Sequence, residues 1–450
     1  MGQLPFSTKE IKQGRALILS SGSKTSGVVA LPSVDRSRLW RTDRPEMGDK
    51  TGENYNKESF ERALAAFYAC EKLQVEDFNI KTLVPSGAYF CSVIHRVALK
   101  FRRSAEANLE SGHYVIKDLM PAAAELGSSE KQMFEQVLPA MSKVLEKAPS
   151  DLVDHKLNAD CLLAEVSPGK EVYILEDLGA LGYVTLDRFQ GLDLEDAKLC
   201  LRKIAQFHGA SMVLRQEQLS LVEQLPPSAY SKGITDPIIR GIMFDATEFA
   251  ANLFAGELPQ ISKKMKAQIP DAYSRRMQEA VDPKPSAFNV VVHGDVWLNN
   301  IMVNRATKRA VLLDFQNCFW GSPAIDLHFF FHTSLQQDLL LHQKDELLQY
   351  YFDALTETLG LCGFTGSKPT FEQLKAEWQR CLFYGYMSVT CELPTCCASA
   401  EASEGFNCLS FADSEKMRIR RRLLFENERV RQTIRASLVH FDQQGILETP

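Results

Sequence analysis

The strongest constraint on this chain is one short β-like island in a half that is otherwise helical. The island runs from Phe288 to Phe315 and holds His293, Asp295, Asn300 and Asp314. Segments 301–304 and 310–313 read as two strands joined by a polar turn, and folding them about Ala306 and Thr307 sets Met302 opposite Val311. In that register Asn300 falls beside Leu313 and Asp314. Asp295, five residues before Asn300, is close enough to aim at the same point. Two carboxylates and a carboxamide then converge. Clustered carboxylates repel and are costly to desolvate unless a cation or proton sits between them. Hard oxygen donors of this kind suit Mg²⁺, which also takes phosphate oxygens. The pattern points to a metal-nucleotide site, in which one Asp accepts a hydroxyl proton while an Asn and a second Asp hold the metal. Asp295, Asn300 and Asp314 supply those roles in that order.

The rest of the chain is organised around the island. Residues 1–55 show little periodicity and read as a mobile leader. From Glu58 to Leu73 apolar residues recur at helical spacing. Five β-like runs follow, Asp77 to Val84, Phe90 to Phe101, His113 to Leu119, Ala159 to Val166 and Glu171 to Glu176, interrupted by one helix over Ser128 to Lys147. A five-strand sheet with a helix inserted after its third strand is expected. Beyond Asp177 the pattern is helical, with a clear apolar stripe over Leu194 to Arg215 that includes His208. The expected division is therefore a nucleotide-binding lobe over 56–177 and a helical lobe over 178–450 that carries the island.

Within the first lobe Val115 and Lys117 share one face of the third strand. A lone lysine beneath apolar neighbours needs an acidic partner and an anion. Glu130, at the start of the following helix, is the candidate partner. Glu125 is a rival acid, but Gly127 separates it from the helix start.

The motif His293-Gly-Asp-Val-Trp-Leu-Asn-Asn-Ile-Met302, with Asp314-Phe-Gln316 and Gly321-Ser-Pro-Ala-Ile-Asp-Leu327, resembles the ecdysteroid kinase-like family, within the aminoglycoside and choline kinase-like branch of the protein-kinase fold. Leu175-Glu-Asp-Leu178 and Ala205-Gln-Phe-His-Gly-Ala-Ser211 extend the likeness. It implies an α+β, two-lobed protein-kinase-like fold with a five-stranded antiparallel N-lobe and a mainly helical C-lobe. It also implies that ATP and Mg²⁺ are used to phosphorylate a hydroxyl of an ecdysteroid or related lipophilic alcohol. On this resemblance Asp295 is the catalytic base and Asn300 and Asp314 hold the metal. Lys117 contacts the α- and β-phosphates with Glu130 fixing it, and backbone atoms from Glu176 to Leu178 bond the adenine. The loop Ser86 to Ser92 covers the phosphates, with Gly87 permitting close approach and Ser92 closing it. The loop departs from the family pattern at Ala88 and Tyr89, where an acid and an Asn are usual. His293 and Asp326 are expected to brace the catalytic loop.

Composition bounds the partners. Fifty-one basic and 57 acidic residues leave a net charge of −6, which gives no global attraction to nucleic acid or an anionic membrane. The apolar runs stop short of the ~20 residues that span a bilayer, so a cytoplasmic protein is expected; that its partner is a small-molecule alcohol is what the resemblance implies. The 11 cysteines follow no disulfide spacing and read as reduced thiols. The run Arg418 to Arg422 reads as a solvated helix face, and the phenylalanines at 329–331 as helix packing. Two other readings stand beside this one: a choline or aminoglycoside-type kinase acting on a cationic alcohol, and a pseudokinase that binds nucleotide without turnover.

Overall fold

Alternating burial builds the first lobe. In β2 (Ser92–Arg102), Val97, Leu99 and Phe101 point inward while Arg96, Ala98 and Lys100 face solvent, the period-2 pattern of a sheet with one covered face. The computed structural model describes residues 55–83, 91–121, 128–404 and 408–448. The leader call (residues 1–54), the loop residue Gly87 and the rival acid Glu125 lie outside the described residues.

β1 (Gln74–Leu83), β2, β3 (Glu110–Leu119), β4 (Cys161–Ser167) and β5 (Lys170–Glu176) form one antiparallel sheet in the order β1-β2-β3-β5-β4. The helix Lys57–Phe67 lies across its covered face. Asn56 caps it by accepting from the Ser59 N–H at 3.0 Å, and Phe60, Ala63 and Leu64 enter the core with Val97, Phe101 and Ile116. Each large side chain buried in this way contributes roughly 1.5–3 kcal/mol. The helix ends at Phe67, not at Leu73: Ala69 takes a left-handed φ of 50°, which a helix cannot continue. Tyr55, assigned by the sequence to the leader, packs on Phe60 and donates to Asp118 at 3.2 Å.

Between β3 and β4 the chain forms one interrupted helix, α over Glu130–Gln132, a wide π turn over Met133–Val137 and α again over Leu138–Leu145. The π turn brings Met133, Phe134 and Val137 into the interior together.

The second lobe is mainly helical. Its central helix, Leu194–Glu217, is capped by Asp193 and buried on every side from Lys203 to Leu214, as expected of a helix sandwiched between layers. It lies against the helix Lys344–Leu361, where Gly209 gives Thr358 its space: a Cβ there would come within 2.9 Å of that side chain. The island divides into β7 (Val290–Val292), a single 3₁₀ turn over Leu298–Asn300, β8 (Ile301–Asn304) and β9 (Arg309–Leu312). Met302 pairs with Val311 in the β8–β9 hairpin, the register expected from the sequence. Two further strands, β6 (Val184–Thr185) beside β8 and β10 (Phe319–Gly321) beside β7, were not expected. Runs of two and three residues are too short to show a period.

The stretch from Pro237 to Glu279 is helical but broken into several pieces, with a π turn over Gly241–Asp245. Phe329, Phe330 and Phe331 are at most 4% exposed, so they pack helices. The solvated reading of Arg418 to Arg422 needs correction at Arg421. Met417, Arg421 and Leu424 fall on one inward face of the helix Ser414–Leu424, where the Arg421 guanidinium donates to the Gly241 carbonyl and lies 3.7 Å from Asp245. No helix among the described residues is long and apolar enough to cross a membrane.

Candidate active site

The site is assembled from the third sheet strand, the start of the interrupted helix, and the island. Lys117, alternating inward on β3, is 7% exposed. Its Nζ lies 2.6 Å from Glu130 Oε2 and 2.8 Å from Asp314 Oδ1. Glu130 is held from both directions, because its other oxygen accepts from the Phe315 N–H at 3.3 Å. Ser129 makes the same connection next door: its hydroxyl donates to the Phe315 carbonyl at 2.7 Å and accepts from the Cys318 N–H at 2.9 Å. The helix start is thus stitched to the segment that follows β9, and one salt-bridged lysine joins sheet, helix and island. Sequence reasoning missed Ser129, since a serine at a helix start signals only a cap. The N-cap position is Ser129, and the side-chain contact at the helix start comes from Ser128, whose hydroxyl accepts from the Glu130 N–H at 3.0 Å.

Burial by itself would lower the Lys117 pKa, but the charges of Asp314 and Glu130 outweigh it and hold the ammonium well above its ordinary range. For Glu130 burial dominates over the attraction of Lys117 and pushes the carboxyl up to about 7. Asp314 carries a left-handed φ of 65°, a conformation a non-glycine residue keeps only when its surroundings impose it.

Opposite this pair the loop after β7 carries Asp295. Gly294 has φ 81°, and a Cβ on it would stand 2.5 Å from the Asn317 carbonyl oxygen, so only glycine fits. Asp326, at the start of the helix Ala324–Ser334, accepts from the His293 N–H at 2.7 Å and the Gly294 N–H at 2.9 Å. His208 lies 2.9 Å from the same carboxylate and 2.7 Å from the Tyr351 hydroxyl. His293 Nε2 lies 2.9 Å from the Leu313 carbonyl and its Nδ1 3.3 Å from the Asp295 N–H. Burial lowers the His293 pKa, and a neutral ring satisfies both contacts, donating from Nε2 and accepting at Nδ1. These side chains position the loop.

The Asn300 amide nitrogen donates to the Asp295 carbonyl at 2.8 Å and to its carboxylate at 3.1 Å. That leaves the amide oxygen facing away from Asp295. Burial, then the charge of Asp314, then that of Glu392 raise the Asp295 pKa well above the usual carboxylate value. The Asp314 carboxylate with the Asn300 amide oxygen, close to a second carboxylate at Asp295, is a hard-oxygen donor set that fits a divalent cation such as Mg²⁺.

The charged and amide groups of the site line one cleft of 510 Å³. Lys117, Glu130, Ser92, Glu176, Leu178, Asp295, Asn300 and Asp314 are all on its wall. Its apolar lining includes Val115, Ala159, Leu175, Met302 and Leu312. At the far end the N–H groups of Glu176 and Asp177 are engaged by the Asp160 and His113 carbonyls at 2.9 and 3.1 Å. Arg96, also on the wall, pairs with Asp177 at 2.9 Å. Sequence reasoning missed Arg96 and the β6 wall of Val184 and Thr185. An alternating exposed arginine carries no local signal that distinguishes it from a solvated one.

A β-sheet lobe and a helical lobe, with a lysine–glutamate pair set against an Asp and Asn loop, define a protein-kinase-like α+β fold. The chain belongs to the ecdysteroid kinase-like family, whose model matches residues 86–364. It is accordingly related to small-molecule kinases. Among solved structures it is similar to a protein from Ralstonia eutropha assigned as an aminoglycoside phosphotransferase, at 16% identity and a TM-score of 0.39 over 82% of this chain and 98% of that one. An ethanolamine kinase of Plasmodium vivax matches at 11% identity and 0.36 over 75% and 81%. A choline/ethanolamine kinase family protein of Mesorhizobium loti matches at 12% and 0.31 over 80% and 92%. No curated protein matches the chain.

Proposed function

We propose that this chain is an ATP-dependent kinase that phosphorylates a hydroxyl of an ecdysteroid or a related lipophilic alcohol. The observation that carries the reading is the convergence of Lys117, Glu130, Asp295, Asn300 and Asp314 on one cleft. Residues 56–177 bind the nucleotide, and residues 178–450 carry the catalytic loop and the acceptor. Adenine occupies the apolar end, against Val115, Leu175 and Met302, and is read by backbone groups from Glu176 to Leu178. With the Glu176 and Asp177 N–H groups already engaged, the Leu178 N–H is the donor of choice.

Lys117 takes the α- and β-phosphates. To do so it exchanges Asp314 for phosphate oxygens while Glu130 keeps hold of it, so the ammonium never loses an anionic partner. Asp314 and Asn300 then hold Mg²⁺, which when bound supplies charge neutralisation at the phosphates. Asp295 accepts the proton of the attacking hydroxyl. Its raised pKa makes it a stronger base than a solvated aspartate, provided the cations beside it keep it ionised. The Asn300 amide fixes the carboxylate's orientation.

ATP consumption by the purified chain with a panel of steroid and other alcohols, next to an Asp295→Asn control, tests the reading. Consumption that depends on both the alcohol and Asp295 is expected. Tight binding of magnesium and ATP without turnover on any alcohol overturns it in favour of a nucleotide-binding module.

A further inference from the structure

Asp314 keeps a left-handed backbone, and its carboxylate is paired with Lys117 at 2.8 Å. The proposed reaction takes that partner away, since the ammonium turns to the phosphates. Another part of the structure then has to hold the aspartate where it is. The backbone on either side of it is framed as follows. Before it, the Leu313 N–H donates to the Asn300 carbonyl at 2.9 Å. After it, the Phe315 N–H donates to Glu130 at 3.3 Å, and Ser129 takes the next three groups. The Ser129 hydroxyl donates to the Phe315 carbonyl at 2.7 Å and accepts from the Cys318 N–H at 2.9 Å, while its own N–H donates to the Gln316 carbonyl at 3.1 Å. Ser129 is 1% exposed, so solvent does not compete for its hydroxyl.

A hydroxyl both donates and accepts, so this one side chain closes a carbonyl and an N–H of the same turn, which no apolar residue of its size can do. The Phe315 ring inside that turn is fully buried and packs on Phe134 at 5.8 Å and on His293 at 5.1 Å between centroids. A strained backbone such as that of Asp314 persists only where its surroundings over-determine it, and Ser129 supplies the largest share of those bonds. Groups that orient a metal ligand from behind set its affinity for the metal. We infer that Ser129 is a positioning residue for the divalent cation: its hydroxyl keeps the Asp314 carboxylate aimed at the metal once Lys117 has turned to the phosphates. The affinity for the cation is thereby set at the helix start of the first lobe, by the residue next to the one that holds Lys117. The inference rests on the proposal that Asp314 and Asn300 hold Mg²⁺.

Calorimetric titration of the full chain with AMP-PNP, in EDTA and then over a series of free Mn²⁺ concentrations, tests this without turnover. Mn²⁺ should tighten AMP-PNP binding to the parent. Ser129→Ala should bind AMP-PNP in EDTA as the parent does, yet need at least about tenfold more free Mn²⁺ for the same tightening, as when a group behind a metal ligand is removed. Ser129→Thr, which keeps the hydroxyl, should fall between the two. If Ser129→Ala does not fold, Ser129→Cys gives the same comparison, because its thiol keeps the size and bonds weakly. In turnover, the variant's half-saturating Mg²⁺ should rise while its rate at saturating Mg²⁺ largely recovers, a split that a merely destabilised fold does not produce. Equal Mn²⁺ dependence in parent and variant overturns the inference, as does an equal loss of binding with and without the metal, or no effect of Mn²⁺ on the parent. The kinase reading fails separately: a Ser129-dependent Mn²⁺ effect without any ATP consumption leaves the positioning role standing and removes the reaction, whereas ATP consumption with an unchanged Mn²⁺ dependence does the reverse.

Discussion

The two sides of Asp295 are built on opposite principles. On the phosphate side every charge is answered: Lys117 lies between Glu130 and Asp314, Glu130 also takes the Phe315 N–H, and Ser129 ties the helix start to the same segment. On the other side the Asn299 amide nitrogen is buried without a partner, and the Glu392 carboxyl is pushed up to about 7 by burial with no basic side chain offsetting it. A closed network is preorganised and holds its shape without ligand. An open one costs stability until something fills it. On the proposed assignment, the difference teaches that the part handling a phosphate common to all nucleotides can be rigid and self-contained, whereas the part facing the acceptor need not be closed before the acceptor arrives.

The largest expected effect lies at the boundary between the two sides. Asp295→Asn should lower phosphoryl transfer to a steroid alcohol about a thousandfold, within the range attributed to a positioned general base. Binding of magnesium and AMP-PNP, measured calorimetrically, should be largely unchanged, since the phosphate side does not depend on it. Equal loss of both breaks the comparison, because the two sides would then be one network. Next comes the knot itself. Glu130→Ala strands a buried lysine, a change that costs about 3–5 kcal/mol when no partner remains. Because Asp314 still pairs with Lys117, about 3 kcal/mol in urea unfolding is expected, together with weaker nucleotide binding. An unaltered midpoint means the closed side is not held by this pair. Smaller again is Gly294→Ala, at about 1–3 kcal/mol for a side chain forced into a left-handed backbone. Its Cβ would meet the Asn317 carbonyl, so turnover should fall with stability, read by ATP consumption alongside the melting temperature.

How much of this was legible beforehand follows the same division. The hairpin register, with Met302 opposite Val311, came from the spacing of two strands about a polar turn, and the order of five strands and one helix came from their periods. Lys117 with Glu130 was legible because a buried lysine demands an acid. What the sequence did not carry is contact between distant segments. Ser129 reaches residues nearly two hundred positions away, Arg421 turns inward to meet Gly241, and β6 is only two residues long. Glu392 lies in a helical stretch whose π turn leaves no local pattern, and nothing around it in sequence sets it apart from a surface acid. Closed networks of charge leave a trace in residue types, while contacts between distant segments are made by tertiary packing alone.

The smallest predicted effect sharpens the comparison most directly, because it measures openness as a stability. The Glu392 carboxyl has an ordinary value of 4.5 and is raised to about 7 in the fold by burial. Between those two values the unfolded chain has given up the proton while the folded chain retains it, so the folded state loses stability as pH rises through the window. The full difference corresponds to about 3 kcal/mol. Glu392 keeps some solvent exposure, and screening reduces the expectation to about 1–2 kcal/mol. Glu392→Gln has no such proton. Urea unfolding of both proteins at pH 5 and pH 8 should therefore show the variant gaining about 1–2 kcal/mol on the parent as pH increases, with the titration of Glu130 and other shared groups removed by subtraction. If the two proteins keep a constant difference across that range, the carboxylate already has a partner in the folded protein, and the acceptor side is as closed as the phosphate side.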